Sequence, residues 1–161
     1  EHVEDLDAVL DELARVLEPG GALLSLFPSR DVFREGHIGI PFSHWFPRGS
    51  RLRFYYTLAL RRLGFGTWKQ QAPTRRGWAR DKLAWIDQYT RYRSRQEIFA
   101  AFGRRFTSEL IEPDYIRYRL RANVRLAPLA RLLDAPGMPA LAAALFRKLA
   151  FLVILSRKEP A

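Results

Sequence analysis

Cysteine is missing altogether, which excludes disulfides, thiolate metal sites and a cysteine nucleophile and suits a reducing, cytoplasmic setting. A glycine-rich phosphate loop is missing too. No G-x-G-x-G or G-x-G-x-x-G pattern occurs, and the nearest approach, Gly64-Phe65-Gly66, follows a helical stretch and reads as a helix stop. Long apolar runs are also lacking. The stretch from Leu149 to Leu155 is only seven residues, whereas a membrane-spanning helix needs about 20. Lysine is scarce, with four residues against 23 arginines, and histidine occurs three times, as His2, His37 and His44.

What is present suits a folded domain. The chain has 161 residues, 48% hydrophobic and 27% charged, enough for a real core and too apolar for wholesale disorder. No signal peptide is visible. The first residue is Glu rather than Met, so the chain reads as a piece of a longer protein, in which such a segment would not show. Charge is uneven: residues 1–35 carry nine acidic and three basic side chains, leaving eight acidic and 24 basic ones for residues 36–161. A field of that sign draws phosphates, nucleic acid or an anionic membrane surface; the competing explanation is an arginine excess set by GC-rich coding.

The most legible stretch is residues 1–28. Leu6, Val9, Leu10, Leu13, Val16 and Leu17 follow a 3.6-residue period and predict an amphipathic helix, with Asp5 as its N-cap and Asp7 in its first turn. Pro19 ends the helix, and Gly20 and Gly21 provide the reversal. The run Ala22-Leu23-Leu24-Ser25-Leu26-Phe27 has almost no polar alternation and predicts a strand covered on both faces, closed by Pro28. Helix, glycine turn and buried strand in that order form half of a βαβ crossover.

Three segments here, Glu1-His2-Val3, Arg15-Val16-Leu17-Glu18-Pro19-Gly20-Gly21 and Phe27-Pro28, resemble the second half of the cofactor domain in class I S-adenosylmethionine-dependent methyltransferases of the type 11/23-like kind. The resemblance implies an α/β fold: the C-terminal part of a Rossmann-like sheet with strands ordered 5-7-6, the last strand antiparallel between the other two, and a helical cap inserted. It divides the chain into a helix and fifth strand (1–34), a helical and aromatic cap (35–93), and the remaining helices and last two strands (94–161). It implies S-adenosylmethionine as cofactor, with Glu1 and His2 at the cofactor or acceptor cleft; a charged strand-end turn is the alternative for that pair. The family's glycine-rich loop and ribose-binding acid lie upstream of the matched region, so this chain alone is expected to bind the cofactor weakly or not at all and to be inactive.

The stretch 36–47 carries the densest chemistry. Two histidines, three aromatics and two prolines make a stiff loop that can form a substrate wall, with Phe27, Pro41, Phe42 and Trp45 as its lining and His37 or His44 as the base that deprotonates the acceptor. Plain aromatic packing with polar-edge histidines is equally compatible. No metal site is expected, because the seven-residue spacing of His37 and His44 brings no carboxylate or thiol with it.

Residues 51–63 predict a helix, 65–80 an exposed basic loop, and 81–92 a second helix. Ser94 and Glu97 predict a capping box, 106–111 a strand, Asp114 the cap of a basic helix to about Asn123, 126–133 a short helix, 140–148 a further helix and 150–156 the final strand before a frayed tail. The expected function is methyl transfer to a small-molecule or lipid-like acceptor by the parent protein. The alternative is a non-catalytic basic domain binding a membrane surface or polyanion. Arginines interleaved with aromatics also fit nucleic acid, but no recognised nucleic-acid-binding module supports that partner.

Overall fold

A computed structural model describes residues 1–159. The fold is mixed α/β and divides into two compact units, one formed by residues 5–31 with 93 onward, the other by residues 1–4 with 32–92.

The first unit is built on a three-stranded antiparallel sheet. Helix α1 (Leu6–Val16) starts where the Asp5 carboxylate accepts the Ala8 N–H at 2.9 Å, as its sequence predicts. Strand β1 (Ala22–Phe27) follows the Pro-Gly-Gly turn. The last strand, β5 (Leu152–Arg157), lies between β1 and β4 (Thr107–Leu110) and pairs antiparallel with both; Leu24 faces Leu155 on one side and Leu110 faces Ile154 on the other. Leu10 of α1, together with Ile98, Ala101 and Phe102 of helix α4 (Arg95–Phe102), packs with Leu152 and Ile154 to form this unit's core.

Helix α4 opens with the expected capping box: Ser94 accepts the Glu97 N–H, and the Glu97 carboxylate accepts the Ser94 N–H at 2.7 Å. The acidic face of α1 is matched by arginine, with Asp7 and Asp11 both bonded to Arg105 and Asp7 also to Arg104. Helices α5 (Glu112–Arg121) and α6 (Met138–Leu149) and the 3-10 segment Ala127–Asp134 complete the unit, with Tyr115 and Phe146 tilted on each other and both edge-on to Phe151.

Three expectations for this unit are corrected. β1 is covered on one face only: Leu23 and Phe27 pack on the core while Leu24 and Leu26 are 52% and 41% exposed, because successive side chains in a strand point to opposite faces. The cap of α5 is Ile111 rather than Asp114, since Pro113 lacks an N–H and fits the first turn, where none is needed. Lys158 is held rather than frayed: its N–H donates to Gly21 O, and its ammonium donates to the Ala14 and Leu17 carbonyls at the end of α1, at 2.7 and 2.8 Å, while the tail's residues 160 and 161 lie outside the described residues.

The second unit contains the two-residue strands β2 (Arg34–Glu35) and β3 (Ile40–Pro41), paired as a hairpin, with helices α2 (Arg51–Arg62) and α3 (Arg75–Tyr89). Ile38 and Ile40 join Leu58, Trp78, Leu83 and Ile86 in its core. The expected exposed loop at 65–80 is corrected in its second half. α3 begins at Arg75, capped by Thr74, and Trp78 is 1% exposed, donating its indole N–H to Thr67 O at 3.0 Å under the Arg61 guanidinium. Gly66 makes this possible. It sits at φ +100°, and a Cβ there would lie 2.7 Å from the Trp78 ring.

Replacing Ser94 by alanine is expected to cost about 1 kcal/mol of stability, read by denaturant unfolding. The backbone bond from Ser94 holds the Glu97 carboxyl below its ordinary value of 4.5, so its contribution is present above that pH and lost as pH falls through the lowered folded-state value. Glu97→Ala therefore lowers the melting temperature at pH 7, and its gap from wild type narrows on acidification below about 4.5.

Candidate functional site

The hairpin of the second unit organises the candidate site. Arg34 faces Pro41 and Glu35 faces Ile40, and the four residues 36–39 close the turn through Gly39 at φ +68°. Ile38 and Ile40 are drawn into the core, and Thr67 ties the turn down by donating its hydroxyl to His37 O at 2.7 Å and its N–H to Ile38 O at 2.9 Å.

Glu35 is fully buried and still satisfied. One carboxylate oxygen accepts the Tyr92 hydroxyl at 2.5 Å and His37 Nδ1–H at 2.7 Å; the other accepts the Ile38 N–H at 2.6 Å. Three donors are what a buried carboxylate requires. Burial and the adjoining Glu35 charge push the Tyr92 phenol far above its ordinary range, so it remains a protonated donor.

With Nδ1 fixed on Glu35, His37 presents Nε2 on the opposite side. His2 Nε2 lies 3.2 Å away, and His2 Nδ1 is bonded to the Tyr89 carbonyl at 2.8 Å. A Glu1 carboxylate oxygen stands 3.7 Å from the Nε2 atom of each histidine. The Glu1 carbonyl accepts the Arg91 N–H at 2.6 Å, which ties this short segment to the end of α3. The Trp85 ring flanks the pair, 5.4 Å from His37 and 6.2 Å from His2.

The other expected residues have separate places. His44 is buried, its ring 4.8 Å from Tyr92. Phe42 and Trp45 pack on each other at 4.9 Å and on Phe33, forming a part-exposed aromatic cluster, and the Pro41 carbonyl accepts the Tyr56 hydroxyl. Phe27 belongs to the sheet unit, where it stacks on Phe102 at 6.3 Å. Glu1, His2 and His37 are thus brought together. His44 is linked to them through Tyr92, which bonds to Glu35.

Sequence reasoning missed Glu35, Tyr92 and Trp85. Glu35-Gly36-His37 carried a signal for the first, because a carboxylate two residues before a histidine at a hairpin can orient its ring. Tyr92 had none: it is 57 residues from Glu35. The metal expectation considered His37 with His44, whereas the fold pairs His37 with His2 and supplies a carboxylate from Glu1.

Comparison with protein-family models, curated proteins and solved structures finds no match for this chain.

Removing the phenol donor tests the buried carboxylate. Tyr92→Phe leaves the Glu35 oxygen with one donor fewer, and a loss of about 1–3 kcal/mol is expected in urea unfolding.

Proposed function

We propose that this chain is the C-terminal part of a class I, Rossmann-like S-adenosylmethionine-dependent methyltransferase of the type 11/23-like kind, acting in the cytoplasm on a small-molecule or lipid-like acceptor. The observation that carries this reading is the strand order β1-β5-β4, with the last strand of the chain antiparallel between the other two. That is the arrangement the resemblance implies for strands five, seven and six. The division into residues 1–34, a cap at 35–93 and residues 94–161 belongs to the same proposal.

The Glu35–His37 pair supplies the proton chemistry. Glu35 holds Nδ1–H, stabilises the ring when it takes up a proton, and leaves Nε2 to accept one from an attacking oxygen or nitrogen. Methyl transfer from a sulfonium is an in-line displacement, so alignment of acceptor and methyl carbon carries most of the rate. Glu1 and His2 are assigned to cofactor contact, His44 to proton transfer with His37, and Pro41, Phe42 and Trp45 to the acceptor.

Calorimetric titration of the complete gene product with S-adenosylmethionine tests the reading, followed by labelled methyl transfer to lipid-like and small aromatic acceptors. Saturable binding is expected, and His37→Ala should lower turnover by about 10²–10⁴-fold with cofactor affinity unchanged. A complete gene product that does not bind the cofactor overturns it.

A second reading, a basic domain that docks on an anionic membrane surface, has its own support. In the sheet unit, Leu132, Leu141, Leu145 and Leu149 are each more than half exposed, in segments that also carry Arg131, Arg147 and Lys148. In the other unit Arg51, Arg53, Arg76 and Arg80 line one groove with Phe54 and Tyr55. Among the described residues no single helix is long and apolar enough to cross a membrane; the 3-10 segment and α6 together pass that test only as a pair bent by 118°. Sedimentation with phosphatidylserine vesicles should show binding that weakens with salt and falls in Leu141→Ser/Leu145→Ser. Equal sedimentation with neutral vesicles, or retention on RNA alone, counts against this reading.

A further inference from the structure

We propose that Glu1, His2 and His37 form a binding site for a divalent transition-metal ion, with the two histidine Nε2 atoms and one Glu1 carboxylate oxygen as ligands. The inference does not depend on methyl transfer; a bound ion takes the His37 Nε2 lone pair that proton transfer would use, so the two roles are alternatives at that atom, and this test can fail while the other reading stands.

The three ligand atoms stand at metal-site spacing. Zinc–nitrogen bonds are about 2.0–2.1 Å, so two imidazoles on one tetrahedral ion hold their nitrogens about 3.3 Å apart, and two at right angles about 2.9 Å. The observed Nε2–Nε2 separation is 3.2 Å, between these values. The carboxylate oxygen, 3.7 Å from each nitrogen, needs to close by only about 0.4 Å to join them.

The far side of each ring is held as well. A metal-bound histidine commonly gives its other N–H to a carboxylate or a backbone carbonyl, which fixes the tautomer and aims the ligating lone pair. Both arrangements are present. His37 Nδ1–H is held by the buried Glu35 carboxylate, itself fixed by Tyr92 and Ile38, and His2 Nδ1–H by the Tyr89 carbonyl. A carbonyl can only accept, so His2 keeps its proton on Nδ1 and offers Nε2 as a lone pair.

The donor set selects the metal class. Two imidazoles and one carboxylate favour Zn2+, Fe2+, Co2+ or Ni2+ over Mg2+ and Ca2+, which prefer oxygen shells. Three protein ligands leave at least one coordination position for water or a substrate atom, as catalytic metal centres do. His2 is half exposed and lines a groove of about 770 Å3 with Trp85, Gln88, Tyr89 and Arg91, which provides an entry path.

The test uses the 161-residue chain extended by several residues before Glu1, so that no free α-amino group adds a ligand. Zn2+ is titrated by calorimetry, and Co2+ is followed by its visible absorption. One equivalent of each is expected, with the intense visible bands of a nitrogen-ligated ion of low coordination number for Co2+. His2→Ala and Glu1→Gln should each weaken Zn2+ binding by about tenfold or more. The His2 ring is exposed, so loss of folding does not confuse that variant, and circular dichroism checks it. No saturable Zn2+ binding by the wild type, or wild-type affinity in His2→Ala, overturns the proposal; unchanged affinity in Glu1→Gln overturns the carboxylate's part in it.

Discussion

A carboxylate with no access to water has to be surrounded by donors, and Glu35 draws its donors from three places in the chain. Ile38 contributes a backbone N–H, His37 a ring N–H and Tyr92 a phenol. Each contact removes a freedom. The bond to Ile38 closes the hairpin turn and the bond to Tyr92 draws in the residues after α3. The bond to His37 rotates the imidazole until only Nε2 is offered outward. Removing any of them leaves the buried charge one donor short. A lone pair held in one direction is what either proposed role, proton transfer or metal ligation, requires.

The hairpin works because its apolar residues anchor it. Ile38 and Ile40 are buried in the helical core, while His37, just before them in the turn, is not. Gly39 takes the left-handed φ the turn requires. Trp78 completes the support by filling the space beside Gly66 and bonding to Thr67, which in turn holds His37 and Ile38 through their carbonyls. The His37 ring rests on a scaffold that joins its own neighbours Ile38 and Ile40 to Thr67, 30 residues along the chain.

In the sheet unit, β5 carries the equivalent burden. It pairs along both edges, and Leu152, Val153 and Ile154 are wholly buried, while β1 keeps its outer face open at Leu24 and Leu26. A central strand can be apolar throughout because both faces are covered; an edge strand of similar composition is covered only where helices reach it. The runs Ala22–Phe27 and Leu152–Arg157 look alike in sequence and differ in burial for that reason.

Local chemistry was legible without coordinates. The Asp5 cap, the Pro-Gly-Gly turn, the capping box at Ser94 and Glu97, and helix α2 each depend on residues within a few positions of one another, where spacing alone decides the outcome. The helical start of α3 at Arg75 was hidden, because a tryptophan in a basic stretch looks exposed until a distant glycine makes room for it. The same distinction separates the parts of the site. His37 stood out as a residue able to move protons, as did His2 and Glu1 as a charged pair. That His37 stands against His2 and Glu1, and that Glu35 and Tyr92 fix its ring, came only from folding. Spacing along the chain determines helices, turns and caps because their hydrogen bonds are local; burial and long-range pairing determine which side chains meet, and no local pattern encodes them.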